Sequence, residues 1–151
     1  MKRAFVVGGN GNIGSALVKE LLLNKYSVTC FNRGLSGDTP KEVKLIRGDR
    51  NDRLNFERLA RQKTYDLAID LVSFSRDDAQ SSARAFHGVG HFIQFSSVST
   101  YGRQLEVLPS TEETPLRPEN DYARGKIAAD EVILDSYRNN GLNATIIKPS
   151  I

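Results

Sequence analysis

The sequence predicts an α/β fold, a doubly wound parallel sheet of about six strands with helices on both faces. Short apolar runs alternate along the 151-residue chain with longer segments whose apolar residues recur at helical spacing. A glycine-rich turn closes the first apolar run. Strands that alternate with helices pair in parallel through right-handed crossovers, and these crossovers place helices against both faces of the sheet.

The strand segments are short, apolar and closed by residues that interrupt regular structure. Ala4–Val7 runs into Gly8 and Gly9, which is typical of a buried strand of a parallel sheet, and the third run is followed by Gly48. The six strands are expected at Ala4–Val7, Val28–Phe31, Val43–Ile46, Leu67–Val72, His91–Phe95 and Ala144–Ile147.

The helical segments are marked by apolar residues three or four positions apart. After Ile13, Leu17 and Leu21 form one row and Val18 and Leu22 form the next, so this helix should pack one face on the sheet. Three more helices are expected at Leu54–Arg61, Asp77–Phe86 and Tyr122–Tyr137. On the last helix, the residues expected to share one side are Ala129, Val132, Ile133 and Tyr137.

The composition is that of one globular domain. Hydrophobic residues make up 39% and charged residues 26%, and the net charge of +3 is spread along the chain, which excludes disorder and a polyanion-binding tail. Cys30 is the only cysteine and there are two histidines, so no internal disulfide and no Cys/His zinc site is expected. We expect a reducing, cytoplasmic location, and no run approaches the roughly 18 apolar residues of a membrane span.

The turn after the first strand contains the pattern Gly8-x-x-Gly11-x-x-Gly14. The first glycine permits a tight turn, the second lets the backbone approach a pyrophosphate, and the third lets helix and strand pack closely. The helix N-terminus, with Asn12 and Ile13, then offers N–H groups to the anion. Between a strand and a helix, this pattern predicts a dinucleotide site rather than a simple tight turn.

The end of the second strand indicates which dinucleotide is bound. Sites that prefer NAD normally have an acidic residue about 20 positions beyond the glycines, which holds the ribose hydroxyls. This chain has Asn32 followed by Arg33. A guanidinium can bind a 2′-phosphate that a carboxylate would repel, so NADP is predicted over NAD. The alternative is that Arg33 is an ordinary solvated arginine of a loop.

Tyr122 and Lys126 are four residues apart and therefore share one face of the last helix. A phenol with a pKa near 10 is a poor base at neutral pH, and a neighbouring ammonium favours the phenolate. The pair suits acid/base chemistry, although such a spacing is also common by chance. Before it, the segment between Tyr101 and Asp121 carries three prolines and reads as a long, functional loop beyond the fifth strand.

Four motifs together resemble one family. GGNGNIG follows the first strand, SSVSTYG (Ser96–Gly102) follows the fifth, and ETPLRP (Glu113–Pro118) precedes Tyr122-x-x-x-Lys126. In this order they resemble the extended short-chain dehydrogenase/reductase family, also called NAD-dependent epimerases/dehydratases. The resemblance covers essentially the whole chain and implies a Rossmann fold.

The resemblance implies roles for three catalytic residues. Tyr122 would be the general acid/base, and Lys126 would bind the nicotinamide ribose and lower the pKa of Tyr122. Ser97 would donate a hydrogen bond to the same substrate oxygen. The rival hydroxyls are those of Ser96, Ser99 and Thr100, and a serine at a strand end can also simply cap the backbone.

Further cofactor contacts are implied by the same resemblance. Asp49 matches the acidic position that contacts adenine, with Arg50 beside it, although a turn aspartate is an alternative interpretation. The residues after the fourth and sixth strands would line the cofactor, and they are Leu71, Val72, Ser73 and Pro149. Asp70 lies within an apolar strand, where it is either functional or hydrogen-bonded to neighbouring loops.

The reaction expected is epimerisation or reduction by hydride transfer, on a nucleotide sugar or a related hydroxyl or carbonyl compound. Sugar dehydratases of the family carry Asp-Glu where this chain has Val98 and Ser99, so dehydration is disfavoured. The alternative is a non-catalytic NADP-binding regulatory or RNA-associated protein. Its motivation is a basic run that acidic residues interrupt, made of Arg47, Arg50, Arg53, Arg58, Arg61 and Lys63.

Residues 1–151 are expected to form the dinucleotide-binding domain without the C-terminal substrate lobe that the family usually carries. Without that lobe we expect the chain to bind NADP but to turn over slowly or not at all. Family members commonly form homodimers through the helices that correspond to Asp77–Phe86 and Tyr122–Tyr137. A homodimer is therefore expected, with no membrane and no nucleic acid as partners.

Overall fold

The computed structural model describes residues 1–35, 39–104 and 108–150, and it has the predicted α/β architecture. The strands are β1 Arg3–Val7, β2 Ser27–Asn32, β3 Lys44–Arg47, β4 Leu67–Asp70, β5 His91–Phe95 and β6 Ala144–Ile147. They form one parallel sheet in the order β3-β2-β1-β4-β5-β6. The connections reverse direction between β1 and β4, and such a switch point opens a crevice at the carboxyl ends of the strands.

The helices are α1 Asn12–Leu23, α2 Arg53–Ala60, α3 Arg76–Ala85 and α4 Asp121–Asn139, and a 3-10 turn covers Val98–Tyr101. Three of the helices begin at a side chain that accepts a backbone N–H, namely Asp52 for α2, Ser75 for α3 and Asn120 for α4. None of the helices in the described residues is long and apolar enough to cross a membrane.

The core has two layers, one on each face of the sheet, as predicted. On the face covered by α2, α3 and α4, the rings of Phe5, Phe31, Phe56, Phe86 and Phe92 pack at centroid distances of 5.0 to 5.9 Å. The face covered by α1 is aliphatic. Cys30 lies in this second layer, where burial raises the pKa of its thiol to about 11.

Two details of the predicted elements were wrong. The fourth strand ends at Asp70 rather than Val72, because the Asp70 carboxylate accepts the Val72 N–H at 2.9 Å and turns the chain out of the sheet. Tyr137 is 56% exposed, although the pattern predicts it on the same side of α4 as Ala129, Val132 and Ile133, which are buried. Eight helical positions separate it from Ala129, and at about 100° per residue it has rotated about 80° away.

Phe56→Ala is expected to lower the free energy of unfolding by about 3–5 kcal/mol, because it removes a fully buried ring from the aromatic layer. Leu54 lies on the same helix with 82% of its surface exposed, so Leu54→Ala is the matched control and should change stability by less than about 0.5 kcal/mol. Urea unfolding followed by circular dichroism measures both. Equal losses in the two variants would contradict this assignment of the core.

Candidate functional site

The glycine turn after β1 has the geometry that the sequence predicts. Gly8 adopts φ +85°, and a Cβ there would lie 2.8 Å from the Val72 side chain. A Cβ on Gly14 would collide with the Gly8 carbonyl oxygen, so the first turn of α1 can pack on the strand only with glycine at this position. The first and third glycines therefore have the predicted structural roles.

The N-terminus of α1 is open at the second glycine. Gly11 is the N-cap, and no described side chain caps this helix. Within 4 Å of a Cβ on Gly11, the described residues place only the Gly8 oxygen, at 3.8 Å, so they leave open space in front of the turn. Asn12 is exposed and Ile13 is half-buried on the first turn. Free N–H groups at an uncapped helix end attract anions, so this turn fits a pyrophosphate.

A cavity of about 300 Å³ lies beside the turn, at the carboxyl ends of β1, β2 and β3. Asn32 forms part of its wall and is 8% exposed. Its Oδ1 accepts the Gly34 N–H at 2.8 Å, which leaves its buried Nδ2 without a partner among the described residues. An unpartnered buried donor is costly, so this amide fits a ligand oxygen. Arg33 and Asp49 are exposed on the same wall.

Asp49 combines the two interpretations given for it. Its Oδ1 accepts the Asn51 N–H at 2.8 Å, as a turn aspartate does. The residue nevertheless lines the cavity where adenosine would lie. Its contact with adenine remains a prediction.

The guanidinium of Arg50 points under the cavity. It donates to Ser82 Oγ at 2.7 Å and to the Asp78 carbonyl at 2.6 Å, and it lies 4.0 Å from the centre of the Phe56 ring. It also lies 3.4 Å from the carboxylate of Asp70. These contacts hold the β4–α3 connection in place, and the predicted contact of Arg50 with the cofactor stays a prediction.

Asp70 is fully buried and satisfied within the protein. Besides Arg50, its carboxylate accepts the Ser82 hydroxyl at 2.5 Å and the Val72 N–H. Of the two interpretations offered for Asp70, hydrogen bonding to neighbouring loops is the one that the contacts support. Among the described residues, no three His, Cys, Asp or Glu side chains are grouped so as to hold a metal ion.

Lys126 is buried at the point where the connections from β4 and β5 meet α4. Only 2% of its surface is exposed, and its Nζ donates to the carbonyls of Ser73, at 2.9 Å, and Phe95, at 2.7 Å. Burial lowers the pKa of Lys126, and the carboxylates of Asp70, Asp130 and Asp78 oppose that shift. The ammonium is thus stabilised by oxygen atoms on several sides.

Tyr122 lies one helical turn before Lys126 and is 47% exposed. The Lys126 Nζ is 5.8 Å from the centre of the Tyr122 ring and 4.7 Å from that of Phe74. The two rings are 6.1 Å apart. Tyr122 and Lys126 are therefore brought together as the four-residue spacing predicts, with the phenol open to solvent and the ammonium enclosed.

Sequence reasoning missed Phe74, whose backbone and ring both contact α4. A Cβ on Gly125 would collide with the Phe74 carbonyl oxygen, so glycine at this position lets the β4–α3 connection rest directly on the turn between Tyr122 and Lys126. Phe74 is 48% exposed, and it also lines the cavity at the carboxyl ends of β1, β2 and β3. Because the sequence predicts that the fourth strand runs to Val72, no local pattern indicates that Phe74 lies against α4.

The hydrogen bonds of the hydroxyl groups after β5 distinguish Ser97 from Ser96 and Thr100. Ser96 is buried and donates to Asp130 at 2.6 Å, and Thr100 is buried and donates to the Ser97 carbonyl at 2.8 Å. Ser97 is half-buried, and its Oγ accepts the Ser99 N–H at 3.1 Å. Ser97 thus caps the 3-10 turn, and Ser96 and Thr100 are committed to the interior. The Phe95 carbonyl accepts a hydrogen bond from Lys126. Ser97 lies two residues further along the chain.

Several backbone groups of the residues expected to line the cofactor already have partners within the chain. The N–H of Leu71 donates to Val7, that of Val72 to Asp70, and the carbonyl of Ser73 accepts from Lys126. The carbonyl of Pro149 accepts the Val98 N–H at 3.3 Å. Their contacts with a cofactor therefore remain predictions, and the Val72 side chain is the part that reaches the cavity.

The chain has relatives and structural neighbours among known proteins. The chain is 29% identical over 147 residues to 2'-dehydrokanamycin reductase of Streptomyces kanamyceticus, covering 97% of this chain and 42% of the relative. It is 28% identical over 165 residues to UDP-glucose 4-epimerase of Corynebacterium glutamicum, covering 97% and 50%. The chain thus spans about half the length of these relatives or less.

A solved structure of UDP-glucose 4-epimerase from Brucella ovis in complex with NAD superimposes with a TM-score of 0.86 at 22% identity, over 98% of this chain and 51% of that one. This likeness confirms the fold. The family model for the NAD dependent epimerase/dehydratase family matches residues 4–87 and 79–151. With the glycine turn and the tyrosine–lysine helix both in place, the chain belongs to the NAD dependent epimerase/dehydratase family.

Proposed function

We propose that this chain is the cofactor-binding and acid/base part of an oxidoreductase or epimerase that acts on a nucleotide sugar or a related hydroxyl or carbonyl compound. The observation that carries the proposal is the pair on α4, a solvent-open Tyr122 phenol beside the enclosed ammonium of Lys126. The names of two relatives, a UDP-glucose 4-epimerase and 2'-dehydrokanamycin reductase, support hydride chemistry at a sugar carbon.

The residues divide the work as follows. Tyr122 exchanges a proton with the substrate oxygen through its phenolic hydroxyl. Lys126, held by two carbonyls, has one N–H left to donate, and it directs positive charge toward the phenol and the ribose. Ser97 donates its hydroxyl proton to the same substrate oxygen while accepting from Ser99. A bound nicotinamide dinucleotide would supply the hydride acceptor and donor.

The cofactor fits the residues that are present. The uncapped α1 N-terminus at Gly11 offers N–H groups to a pyrophosphate, and the cavity beside it accommodates an adenosine. The unpartnered Asn32 Nδ2 supplies a donor where the adenosine ribose would lie. These features support the predicted cofactor contacts of Gly8, Gly11 and Gly14.

NADP is proposed over NAD because the end of β2 presents donors rather than a carboxylate. Asn32 turns its amide nitrogen, not its oxygen, away from the backbone. Arg33 is exposed next to Asn32. On the neighbouring parallel strand β3, Arg47 is paired in register with Asn32 and is also exposed. A 2′-phosphate beside the cavity would meet the Arg33 guanidinium, which can form strong charge-assisted hydrogen bonds.

The RNA-associated alternative receives less support from the contacts of the basic run. Arg53 pairs with Asp78 at 3.1 Å, and Arg61 pairs with Glu57, four residues before it on α2, at 3.9 Å. The Arg50 side chain is only 11% exposed. These arginines pair within the fold and do not form a free basic surface.

A homodimer and a cytoplasmic location complete the proposal. Helices α3 and α4 pack side by side, and α4 exposes Leu134 and Tyr137, which would be covered in a dimer through these helices. The buried, unreactive Cys30 is compatible with a reducing compartment. A single monomeric species at high concentration in light scattering would contradict the dimer.

Tyr122→Phe is expected to slow hydride transfer by at least about 100-fold, because the phenolic hydroxyl is the proton donor and acceptor. Cofactor affinity should change by less than about threefold, since the ring and its contacts with Phe74 remain. The measurement is a single-turnover assay with protein in excess over NADPH or NADP and a UDP-sugar. Tyr137→Phe, exposed on the same helix, is the control. A measurable rate in the unchanged chain that Tyr122→Phe leaves equal would contradict the acid/base role.

The chain is expected to bind NADPH at least about tenfold more tightly than NADH. Arg33→Ala should weaken NADPH binding by about tenfold and leave NADH binding unchanged, because only NADPH carries the 2′-phosphate. Fluorescence titration measures both affinities, with Arg58→Ala on the exposed side of α2 as control. Equal or tighter binding of NADH by the unchanged chain would overturn the preference.

A further inference from the structure

A second buried charge lies one turn beyond Lys126 on α4. Asp130 is 6% exposed. Its Oδ1 accepts Gln94 Nε2 at 3.0 Å, and its Oδ2 accepts the Ser96 hydroxyl at 2.6 Å. The Lys148 ammonium lies 3.2 Å from the same oxygen. One carboxylate thus binds side chains from β5 and from the residue that follows β6.

Lys148 links Asp130 to the 3-10 turn. Its Nζ donates to the Thr100 hydroxyl at 2.8 Å and lies 4.8 Å from the centre of the Tyr101 ring. Thr100 in turn donates to the carbonyl of Ser97. Two backbone hydrogen bonds run alongside, from Ser96 N–H to the Ile147 carbonyl and from Val98 N–H to the Pro149 carbonyl. The segment that carries Ser97 is therefore tied to α4 through Asp130 and Lys148.

We propose that Asp130 is a positioning residue: by binding Ser96 and Lys148 together, it sets the place of the Ser97 segment relative to Tyr122 and Lys126. The inference rests on the proposed function for its catalytic consequence, but the placement itself does not. Tyr122, Lys126 and Asp130 occupy successive turns of one helix, so a link at Asp130 fixes the register between that helix and the end of β5.

Stability alone gives a weak reason for this ion pair. Burying a carboxylate and an ammonium costs solvation that their attraction only partly recovers, and apolar replacements of such pairs are often neutral or stabilising. Gln94 Oε1 also remains without a partner among the described residues, so the cluster is not an optimised core. A directional arrangement with several bonds to one carboxylate instead holds backbone segments in a defined position.

The test compares Asp130→Asn with Asp135→Asn, a control on the exposed side of the same helix. Asp130→Asn keeps the shape and removes the charge that binds Lys148. We expect it to shift the backbone amide NMR signals of Ser97 to Tyr101 and to slow single-turnover hydride transfer by at least about tenfold. The affinity for NADPH should change by less than about threefold. Asp135→Asn should change none of these.

Lys126 provides a readout that does not depend on turnover. The titratable groups around it are Asp70 of β4, Asp78 of α3, and Asp130 and Tyr122 of α4. Removing the Asp130 charge takes away one carboxylate that favours the ammonium, so the pKa of Lys126, followed by carbon NMR of its Cε, should fall. The control should leave it unchanged.

The outcomes separate the two proposals. If Asp130→Asn folds and the Ser97–Tyr101 signals do not move, the positioning role is overturned, whatever happens to the Lys126 pKa. If these signals move and the unchanged chain binds neither NADPH nor NADH, the positioning role stands and the proposed function fails. Should Asp130→Asn not fold, Lys148→Met breaks the same link from its more exposed end and should shift the Ser97–Tyr101 signals. Unmoved signals in that variant would overturn the inference.

Discussion

The burial of one ammonium group organises the candidate site. A lysine with 2% of its surface exposed must have oxygen partners, because an unpaired charge in the interior is strongly unfavourable. Lys126 obtains them from two carbonyls, one after β4 and one at the end of β5. Meeting this requirement brings α4, the β4–α3 connection and the segment before Ser97 to one point.

Gly125 and the buried contacts of Arg50 with Asp70 and Ser82 help to hold the elements that meet at Lys126. Gly125 has no side chain, so the Phe74 carbonyl can rest on α4, and Ser73 can then reach Lys126. Beneath it, the contacts of Arg50 with Asp70 and with the first turns of α3 hold the start of the β4–α3 connection. The Asp70 carboxylate also favours the charged form of Lys126, so the two networks are coupled electrostatically.

Sequence patterns predicted the features that depend on local periodicity. Alternating apolar runs gave the six strands and four helices, the glycine spacing predicted the turn at Gly8, and the four-residue spacing predicted the proximity of Tyr122 and Lys126. Features set by tertiary contacts were not accessible. The end of β4 depends on a carboxylate that captures its own backbone at Val72, and the direction of Arg50 depends on partners about 30 residues away.

A charged residue on the buried side of α4 can be recognised in the sequence as an exception to the apolar pattern, but its partners cannot. Asp130 lies between Ala129 and Val132 on the buried side, where a carboxylate contradicts the apolar pattern. Such an exception indicates a buried polar partner, but it does not identify Ser96 or Lys148, because their pairing requires β5 and β6 to be adjacent. A local violation of the pattern can therefore locate a functional cluster before its members are known.

The two members of the tyrosine–lysine pair differ in how much the described residues enclose them. Lys126 is shielded by carbonyls and by the Phe74 ring, so its orientation is determined before any ligand binds. Tyr122 is 47% exposed to water. Proton transfer from an open phenol competes with solvent, whereas cofactor binding at the glycine turn does not require this enclosure. Binding and turnover thus make separate demands on the chain, and the described residues meet the first more fully than the second.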